Sequence, residues 1–206
     1  MKVSQEELDG ARSRVAERFG VKSAPTVLSA IPGEIVRDAA LNLSRSLDGD
    51  SALLARGDRL IIGYGVVVAK TGSPQKGLAQ WLADAAKQAG KTDDELEAAQ
   101  AVALACATYN GYYKFRSLVD QSKDFDGFGT ALRASPFVRS ALSKTLVELV
   151  SLAVSVMNGC GQCVNGHVQT IRQAGLSNPN AAIDEAVRIS AVVAALIYYQ
   201  IVIHPL

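Results

Sequence analysis

The sequence has little net charge, few cysteines and no long hydrophobic run. Its 206 residues include 21 Lys and Arg against 20 Asp and Glu, a net charge of +1, whereas nucleic-acid-binding proteins carry a clustered basic excess. Three cysteines are too few for a disulfide framework in a chain of this size. The most apolar stretches, residues 60–69, 149–157 and 191–199, fall short of the roughly 20 residues that span a bilayer, and the N-terminus shows no export signal. We therefore expect a cytoplasmic protein without nucleic-acid or membrane partners.

Apolar residues are plentiful, at 49% of the chain, and they follow helical spacing. The patterns Ser4-x-x-Glu7 and Thr92-x-x-Glu95 are capping boxes that predict helix starts, and Gly175 follows a periodic run as a helix stop. No segment keeps the two-residue alternation of a strand. The sequence therefore predicts an all-α fold. The predicted helices cover residues 5–19, 32–47, 53–71, 74–89, 93–117, 127–134, 138–157, 160–174 and 181–203.

Part of the chain resembles a later part of itself. The stretch from about residue 60 to 115 recurs from about 147 to 201, at an offset of about 87 residues. Each copy has an apolar helix, a glycine turn, an amphipathic helix and a long final helix, which favours an internal repeat; chance similarity in an alanine-rich chain is the alternative. In this alignment Glu148, Cys160, Cys163 and His167 correspond to Ile61, Ser73, Lys76 and Gln80. Only the second copy therefore carries the chemistry described next.

Residues 159–167, Gly-Cys-Gly-Gln-Cys-Val-Asn-Gly-His, form the most informative motif. At about 100° per helical residue, Cys160, Cys163 and His167 lie within about 60° of one another, so one helix face carries two sulfurs and an imidazole. Asn158-Gly159 ends the preceding apolar run and puts Cys160 in the first turn of a helix, where free N–H groups and the helix dipole favour a thiolate. The second thiol of such a pair can attack a disulfide or sulfenic acid formed on the first. This spacing indicates a redox site.

Glu148 interrupts an otherwise apolar helix and shares a face with Ser151 and Ser155. A buried carboxylate needs a partner, because burying an unpaired charge is unfavourable. The helix leads directly into the cysteine turn, which allows Glu148 to reach His167 across the helix pair. We therefore predict a proton relay in which the carboxylate orients the imidazole and the imidazole takes the thiol proton.

These residues also admit other interpretations. The cysteine pair could bind zinc, but zinc favours four ligands, and only Glu148, Cys106 and His204 remain as candidates. The pair could also be a structural accident. For Glu148, the alternative to the relay is an ordinary ion pair with Lys144 or Arg172.

The remaining chemistry-bearing residues are predicted to have structural roles. Cys106 is flanked by alanines and is predicted as a small core residue. Tyr112-Tyr113 and Tyr198-Tyr199 are predicted as aromatic residues that pack at helix ends. We expect no role for His204 near the C-terminus.

The stretch from Glu148 to His167, ELVSLAVSVMNGCGQCVNGH, resembles the active-site signature of the alkylhydroperoxidase AhpD family, in the carboxymuconolactone-decarboxylase-like superfamily. Cys160 stands twelve residues after Glu148, and His167 stands four residues after Cys163. This spacing is far more specific than Cys-x-x-Cys alone. Weaker similarity elsewhere extends the resemblance to roughly residues 32–203.

The resemblance implies an AhpD-like helical domain at residues 32–206, preceded by an N-terminal arm at residues 1–31. The repeat copies would then occupy about 58–115 and 145–203, with the active site in the second copy. The family is typically assembled as a homotrimer, so we expect a homotrimer or a multiple of it.

The resemblance further implies an alkyl hydroperoxide reductase that uses no cofactor besides a redox-active disulfide between Cys160 and Cys163. In the family, the cysteine matching Cys163 attacks the peroxide, the one matching Cys160 resolves the disulfide, and the residues matching His167 and Glu148 form the proton relay. A lipoylated protein and its dihydrolipoamide dehydrogenase re-reduce the disulfide, and the protein can in turn reduce a peroxiredoxin. To reconcile these roles with the helix dipole, we expect Cys160 to be the more exposed sulfur, meeting lipoamide, and Cys163 to lie nearer the relay.

Gln162 departs from the best-known members of the family, which have histidine between the cysteines. Glutamine can form hydrogen bonds but cannot shuttle a proton at neutral pH, so peroxidase activity would be weaker or the substrate would be a disulfide. The alternatives are therefore a dithiol–disulfide reductase, a redox-switched interaction protein of the same fold, or a decarboxylase-like or isomerase-like relative. The last needs no Cys-x-x-Cys pair and is disfavoured for that reason.

Overall fold

A computed structural model describes residues 4–31, 33–49, 53–74, 77–119 and 122–203, and within these ranges the chain forms helices and no β-strand. The all-α prediction is therefore confirmed. Lys76 and His204, for which the sequence suggested interpretations, lie outside the described residues. The helices are α1 (Gln5–Phe19), α2 (Val27–Ala30), α3 (Gly33–Asp48), α4 (Arg56–Thr71), α5 (Gly77–Gln88), α6 (Asp93–Leu118), α7 (Ser135–Val138), α8 (Lys144–Asn158), α9 (Gly161–Arg172) and α10 (Pro179–Ile203), with a 3-10 helix at Ser122–Phe125.

Helices α4 and α8 form the centre of the bundle. Helix α4 packs against α5, α6, α8 and α10, and α8 packs against α6, α9 and α10 as well. Residues 60–68 and 149–155 are buried throughout, as expected for helices that are apolar on every side. The apolar run at residues 191–199 differs, because Ala191, Ala195 and Tyr198 lie on an exposed face of α10. No helix in the described part of the chain is long and apolar enough to cross a membrane.

Gly65 allows the two central helices to approach closely. A β-carbon at this position would lie 2.8 Å from Val150 Cγ1, which is too close for two nonbonded carbon atoms. Any larger residue would have to displace α8 or force the Val150 side chain aside. The close contact therefore fixes the position of the helix that carries Glu148.

The two predicted repeat copies have the same succession of helices. Helices α4, α5 and α6 contain 16, 12 and 26 residues, and α8, α9 and α10 contain 15, 12 and 25. The first helix of each copy ends at a glycine in the left-handed conformation, Gly72 (φ 63°) or Gly159 (φ 68°). In the first copy Ile61 is fully buried and Gln80 donates a hydrogen bond to Asp84. In the first copy, the positions that correspond to Glu148 and His167 therefore make a core packing contact and a surface hydrogen bond.

Within the segment predicted as an N-terminal arm, helix α1 packs on the rest of the protein. Helix α1 contacts α3 and buries Ala11, Val15 and Phe19. The Phe19 ring meets the edge of Trp81 on α5, with ring centroids 4.9 Å apart. The buried residues of α1 therefore belong to the same hydrophobic core as those of α4 and α5.

The prediction of a helix at residues 127–134 is wrong. Residues 126–134 form turns and irregular backbone, in which Gly127 (φ 88°) and Ala131 (φ 52°) adopt left-handed conformations. Such residues cannot continue a right-handed helix. The helix predicted over residues 138–157 likewise begins only at Lys144.

Candidate active site

Cys160 and Cys163 are joined by a disulfide bond, with their Cα atoms 5.3 Å apart. Gly159 ends α8 in the left-handed conformation (φ 68°), which turns the chain sharply into α9. Cys160 is the N-cap of α9, and its sulfur accepts a hydrogen bond from the backbone N–H of Cys163 at 3.4 Å. The predicted position of Cys160 at the start of a helix is thereby confirmed.

Glu148 and His167 form the hydrogen bond that the sequence predicted. His167 Nδ1 lies 2.7 Å from Glu148 Oε2, and the two side chains are 20% and 26% exposed. The alternative ion pair of Glu148 with Lys144 or Arg172 does not form among the described residues: Arg172 instead donates to Asn180. The carboxylate therefore fixes the orientation of the imidazole and leaves the second ring nitrogen, Nε2, for other partners.

The pKa of His167 is raised from 6.5 to about 9 in the oxidised protein. Burial by itself lowers this pKa, but the interactions of the ring with the nearby Cys106 and with the Glu148 carboxylate raise it and outweigh burial. At neutral pH the ring is therefore an imidazolium that donates Nδ1–H to the carboxylate. A positioned imidazolium is suited to protonate a leaving group.

Glu148, Cys163 and His167 line one cavity of about 320 Å³. The other lining residues described are Cys106, Tyr109, Asn110, Tyr113, Phe137, Gln162, Gly166 and Thr170. Cys163 is half-buried, whereas Cys160 is only 1% exposed. The expectation that Cys160 is the more exposed sulfur is therefore wrong. Cys160 lies on the inside of the tight turn between α8 and α9, where its N–H binds the carbonyl of Ser155.

Helix α6 supplies one wall of the cavity, which sequence reasoning missed. Cys106, Asn110 and Tyr113 follow one another at helical spacing, so they share one face of α6. Tyr113 was predicted only to pack at a helix end, but its ring stacks on Tyr109 at 6.2 Å beside the cavity. The ring of Phe137 from α7 lies 6.0 Å from Tyr109. The sequence spacing of these three residues indicates that they share a face of α6, but it does not indicate which helix that face contacts.

Cys106 is buried, as predicted, but its sulfur has polar neighbours. It lies 3.3 Å from the carbonyl oxygen of Ser151, 3.4 Å from Ser155 Oγ and 3.8 Å from Asn110 Oδ1. The sulfur lines the same cavity as His167. Cys106 is therefore part of the candidate site and not only a core residue.

A chain of hydrogen bonds holds the turn that carries Cys160 against α6. Asn110, which is 2% exposed, donates to Ser155 Oγ at 2.9 Å and accepts from the Asn158 side chain at 3.0 Å. Lys114 donates to the carbonyl oxygen of Asn158 at 2.9 Å. Because these bonds join α6 to the last turn of α8, the cysteine turn has a fixed position relative to the cavity wall.

The described residues contain no group of three or more His, Cys, Asp and Glu side chains arranged to hold a metal ion. The Cys160–Cys163 bond also occupies both sulfurs. The site therefore combines a disulfide with a hydrogen-bonded acid–base pair.

Comparison with known proteins supports the same conclusion. A model described as "Carboxymuconolactone decarboxylase family" matches residues 122–197, which include all four predicted site residues. Similar relatives are named alkyl hydroperoxide reductase AhpD. The protein from Azorhizobium caulinodans is 36% identical over 132 residues, which cover 64% of this chain and 71% of the relative. Those from Rhodopseudomonas palustris and Anaeromyxobacter dehalogenans are each 36% identical, over 77% and 82% of this chain and 83% and 86% of the relatives.

These relatives are named for an oxidoreductase activity of the peroxidase type, and the helical fold and the paired cysteines of this chain fit that class of enzyme. Given the identity and coverage of these relatives, the chain belongs to the AhpD family of alkyl hydroperoxide reductases. The resemblance that the cysteine motif suggested is thereby confirmed.

Proposed function

We propose that this protein reduces alkyl hydroperoxides, with Cys163 as the attacking thiolate, Cys160 as the resolving thiol, and His167 with Glu148 as the proton relay. One observation carries the proposal: Cys163, His167 and Glu148 line the same cavity, while Cys160 is bonded to Cys163 on the buried side. In this arrangement the peroxide meets only one of the two sulfurs.

The chemistry balances with these groups alone. The Cys163 thiolate attacks the peroxide oxygen and forms a sulfenic acid, while the O–O bond breaks and the alkoxide takes a proton from the His167 imidazolium. His167, now neutral, takes the proton of the Cys160 thiol. The Cys160 thiolate attacks the sulfenic sulfur and closes the disulfide, and the hydroxide that leaves takes this proton from His167 to form water. Glu148 stabilises the imidazolium through the 2.7 Å hydrogen bond and so keeps a proton available for the alkoxide.

The lining of the cavity supports an organic substrate. The rings of Tyr109, Tyr113 and Phe137 face the space beside Cys163 and His167. Aromatic rings bury apolar groups favourably, so they suit the alkyl or aryl part of a hydroperoxide. We expect bulky organic peroxides to be better substrates than hydrogen peroxide.

Re-reduction is proposed to begin at Cys163, because Cys160 is nearly inaccessible at 1% exposure. Attack of a donor dithiol on Cys163 breaks the disulfide and releases the Cys160 thiolate at the N-cap of α9, where the helix dipole stabilises a negative charge. We propose a lipoylated protein with a dihydrolipoamide dehydrogenase as the donor, a peroxiredoxin as a further redox partner, and the cytoplasm as the setting. No additional cofactor enters this cycle.

The function is tested by coupled turnover. Cumene hydroperoxide should drive NADH oxidation through dihydrolipoamide dehydrogenase and lipoamide only when the wild-type protein is present. Cys163→Ser should abolish this turnover, because the attacking sulfur is lost. Failure of the wild type to exceed the rate without protein would contradict the proposed function.

The presence of Gln162 is the reason to test a second activity, that of a dithiol–disulfide reductase. Its side chain lines the cavity beside Cys163 but cannot exchange protons. If the physiological substrate is a disulfide, the wild type should reduce small disulfides with dihydrolipoamide much faster than it reduces cumene hydroperoxide.

Replacing Gln162 by histidine should raise the peroxidase rate several-fold near neutral pH, because imidazole exchanges protons readily in that range. The matched control is Gln169→His, which places the same substitution at an exposed position of α9 outside the set of cavity-lining residues. Rates and pH profiles would be compared for both variants and the wild type. An unchanged profile for Gln162→His, with turnover lost in His167→Gln, would show that position 162 is only a spacer.

We also expect an oligomer in solution. Leu118, Phe128 and Val138 are 71%, 66% and 85% exposed, and exposed apolar side chains of this kind favour association. The family resemblance makes a trimer the expected form. Light scattering should then give about three times the 21.7 kDa chain mass, and a monomer mass at micromolar concentration would contradict this prediction.

A further inference from the structure

One buried side chain of α6 holds the helix end from which the cysteine turn begins. Asn110 is 2% exposed. Its Nδ2 donates to Ser155 Oγ at 2.9 Å, and its Oδ1 accepts from Asn158 Nδ2 at 3.0 Å. Both partners lie in the last turn of α8, and Asn158 stands two residues before Cys160. A single amide therefore uses its donor and its acceptor to fix the end of α8 against α6.

The same helix end is bonded to the buried cysteine. The carbonyl oxygen of Ser155 accepts the backbone N–H of Cys160 at 3.1 Å. The Cys160 sulfur in turn accepts the backbone N–H of Cys163 at 3.4 Å. A continuous series of hydrogen bonds therefore leads from Asn110 through Ser155 to the sulfur that is proposed to resolve the sulfenic acid.

These contacts matter most when the disulfide is open. In the oxidised protein the S–S bond itself keeps Cys160 beside Cys163, but in the reduced protein only non-covalent contacts do so. From α6, Asn110 and Lys114 both bind the last turn of α8. The bond from Lys114 is exposed and the bond from Asn110 to Ser155 is buried. A thiol held next to its target reacts at a high effective concentration, so the buried contacts of Asn110 should favour closure of the disulfide.

We propose that Asn110 is a positioning residue for the resolving step: its two hydrogen bonds hold the turn so that the Cys160 sulfur stays beside the sulfenic acid formed on Cys163. In this step the S–S bond forms as the S–O bond of the sulfenic acid breaks, and the departing hydroxide takes from His167 the proton that the Cys160 thiol has lost. Asn110 forms no covalent bond and exchanges no proton. The inference rests on the proposed function and deepens it, because it concerns the same pair of cysteines.

The first test measures how fast the sulfenic acid on Cys163 disappears. Asn110→Leu removes both hydrogen bonds with a side chain of similar size. After one equivalent of cumene hydroperoxide, the rate constant for conversion of the sulfenic acid into the disulfide should fall by about 10-fold or more, because the effective concentration of Cys160 falls. Quenching with dimedone at successive times, followed by mass spectrometry, gives this rate constant.

Ser190→Ala is the matched control. Ser190 of α10 is 1% exposed and donates to the carbonyl oxygen of Ala153 in α8 at 2.7 Å. Its replacement therefore also removes a buried hydrogen bond between α8 and a neighbouring helix, but one outside the last turn of α8. This variant should melt at a lower temperature and close its disulfide at the wild-type rate. If Asn110→Leu also loses only thermal stability and closes at the wild-type rate, Asn110 has a structural role alone and the proposal is wrong.

Asn158→Ala tests the same contact from its other side and does not depend on the folding of Asn110→Leu. It removes one of the two hydrogen bonds of Asn110, so disulfide closure should slow by about 3-fold or more. The two variants act through a shared bond, so the double variant should close within about 2-fold of the rate of Asn110→Leu alone. A double variant slowed by the product of both single effects would overturn the proposal.

The second test needs no peroxide. In mixtures of lipoamide and dihydrolipoamide, Asn110→Leu should shift the equilibrium of the Cys160–Cys163 pair toward the dithiol by about 10-fold, equivalent to about 30 mV in reduction potential, whereas Ser190→Ala should match the wild type. Equal equilibria for Asn110→Leu and the wild type would contradict the proposal. If the wild type consumes no peroxide, the proposed function fails, but this equilibrium still decides whether Asn110 positions the cysteine pair.

Discussion

Replacing Cys163 by serine should slow peroxide consumption by the reduced protein by about 10³-fold or more, because the one sulfur of the redox pair that lines the cavity is lost and an unactivated hydroxyl is a poor substitute. The measurement is the rate at which cumene hydroperoxide disappears after mixing with pre-reduced, anaerobic protein. Cys160, at 1% exposure, should not replace the missing nucleophile.

Cys160→Ser is the matched control for this prediction. It retains Cys163, His167 and Glu148 at the cavity, so it should consume about one equivalent of peroxide at a rate close to the wild type and then stop. The product should be a sulfenic acid on Cys163, trapped by dimedone and located by mass spectrometry. Rapid peroxide consumption by Cys163→Ser, with none by Cys160→Ser, would mean that the two roles are reversed.

Glu148→Gln and His167→Gln should each lower peroxide turnover by about 10²-fold or more, which is the range typical of a positioned acid–base group. The two side chains act through one hydrogen bond of 2.7 Å, so their effects should not add. The double variant should resemble the worse single variant. A double variant as slow as the product of both single effects would show that the residues act independently.

The same pair should affect stability in a pH-dependent way. The folded-state pKa of His167 is raised from 6.5 to about 9, so its contribution to stability is fully present below about pH 6.5 and is lost as the pH rises through about 9. Glu148→Gln should therefore lower the free energy of unfolding of the oxidised protein by about 1–3 kcal/mol between pH 5 and 6.5, and the difference from wild type should narrow by pH 9. Glu97→Gln, at an exposed position of α6, is the matched control and should show no such trend.

Much of the site could be predicted because it is local in sequence. Cys160, Cys163 and His167 lie within two turns of one helix, so helical periodicity alone brings them to one face. Glu148 lies on the adjacent helix of a hairpin whose turn, Asn158-Gly159, was visible in the sequence. The contact between Glu148 and His167 therefore required only one correct assumption, that consecutive helices pack together.

The parts that were missed depend on contacts that are distant in sequence. Cys106 comes from α6, and only the packing of α6 against α8 and α9 brings its side chain to the cavity that His167 also lines. The relative exposure of Cys160 and Cys163 was reversed for a similar reason. The helix dipole favours ionisation of a thiol at the N-cap, but how deeply that thiol is buried depends on the packing of the turn between α8 and α9. The false helix at residues 127–134 lies where left-handed residues, Gly127 and Ala131, interrupt a sequence of otherwise acceptable helix formers.

The central claim is that peroxide oxidises Cys160 and Cys163 as a pair and leaves Cys106 as a thiol. It is tested most directly by mixing the reduced protein with one equivalent of cumene hydroperoxide, alkylating the remaining thiols before and after unfolding, and mapping the peptides by mass spectrometry. The account predicts the loss of two thiols per peroxide, a Cys160–Cys163 disulfide, and Cys106 alkylated only after unfolding. Loss of all three thiols, a disulfide that includes Cys106, or intact peroxide with three free thiols would contradict it.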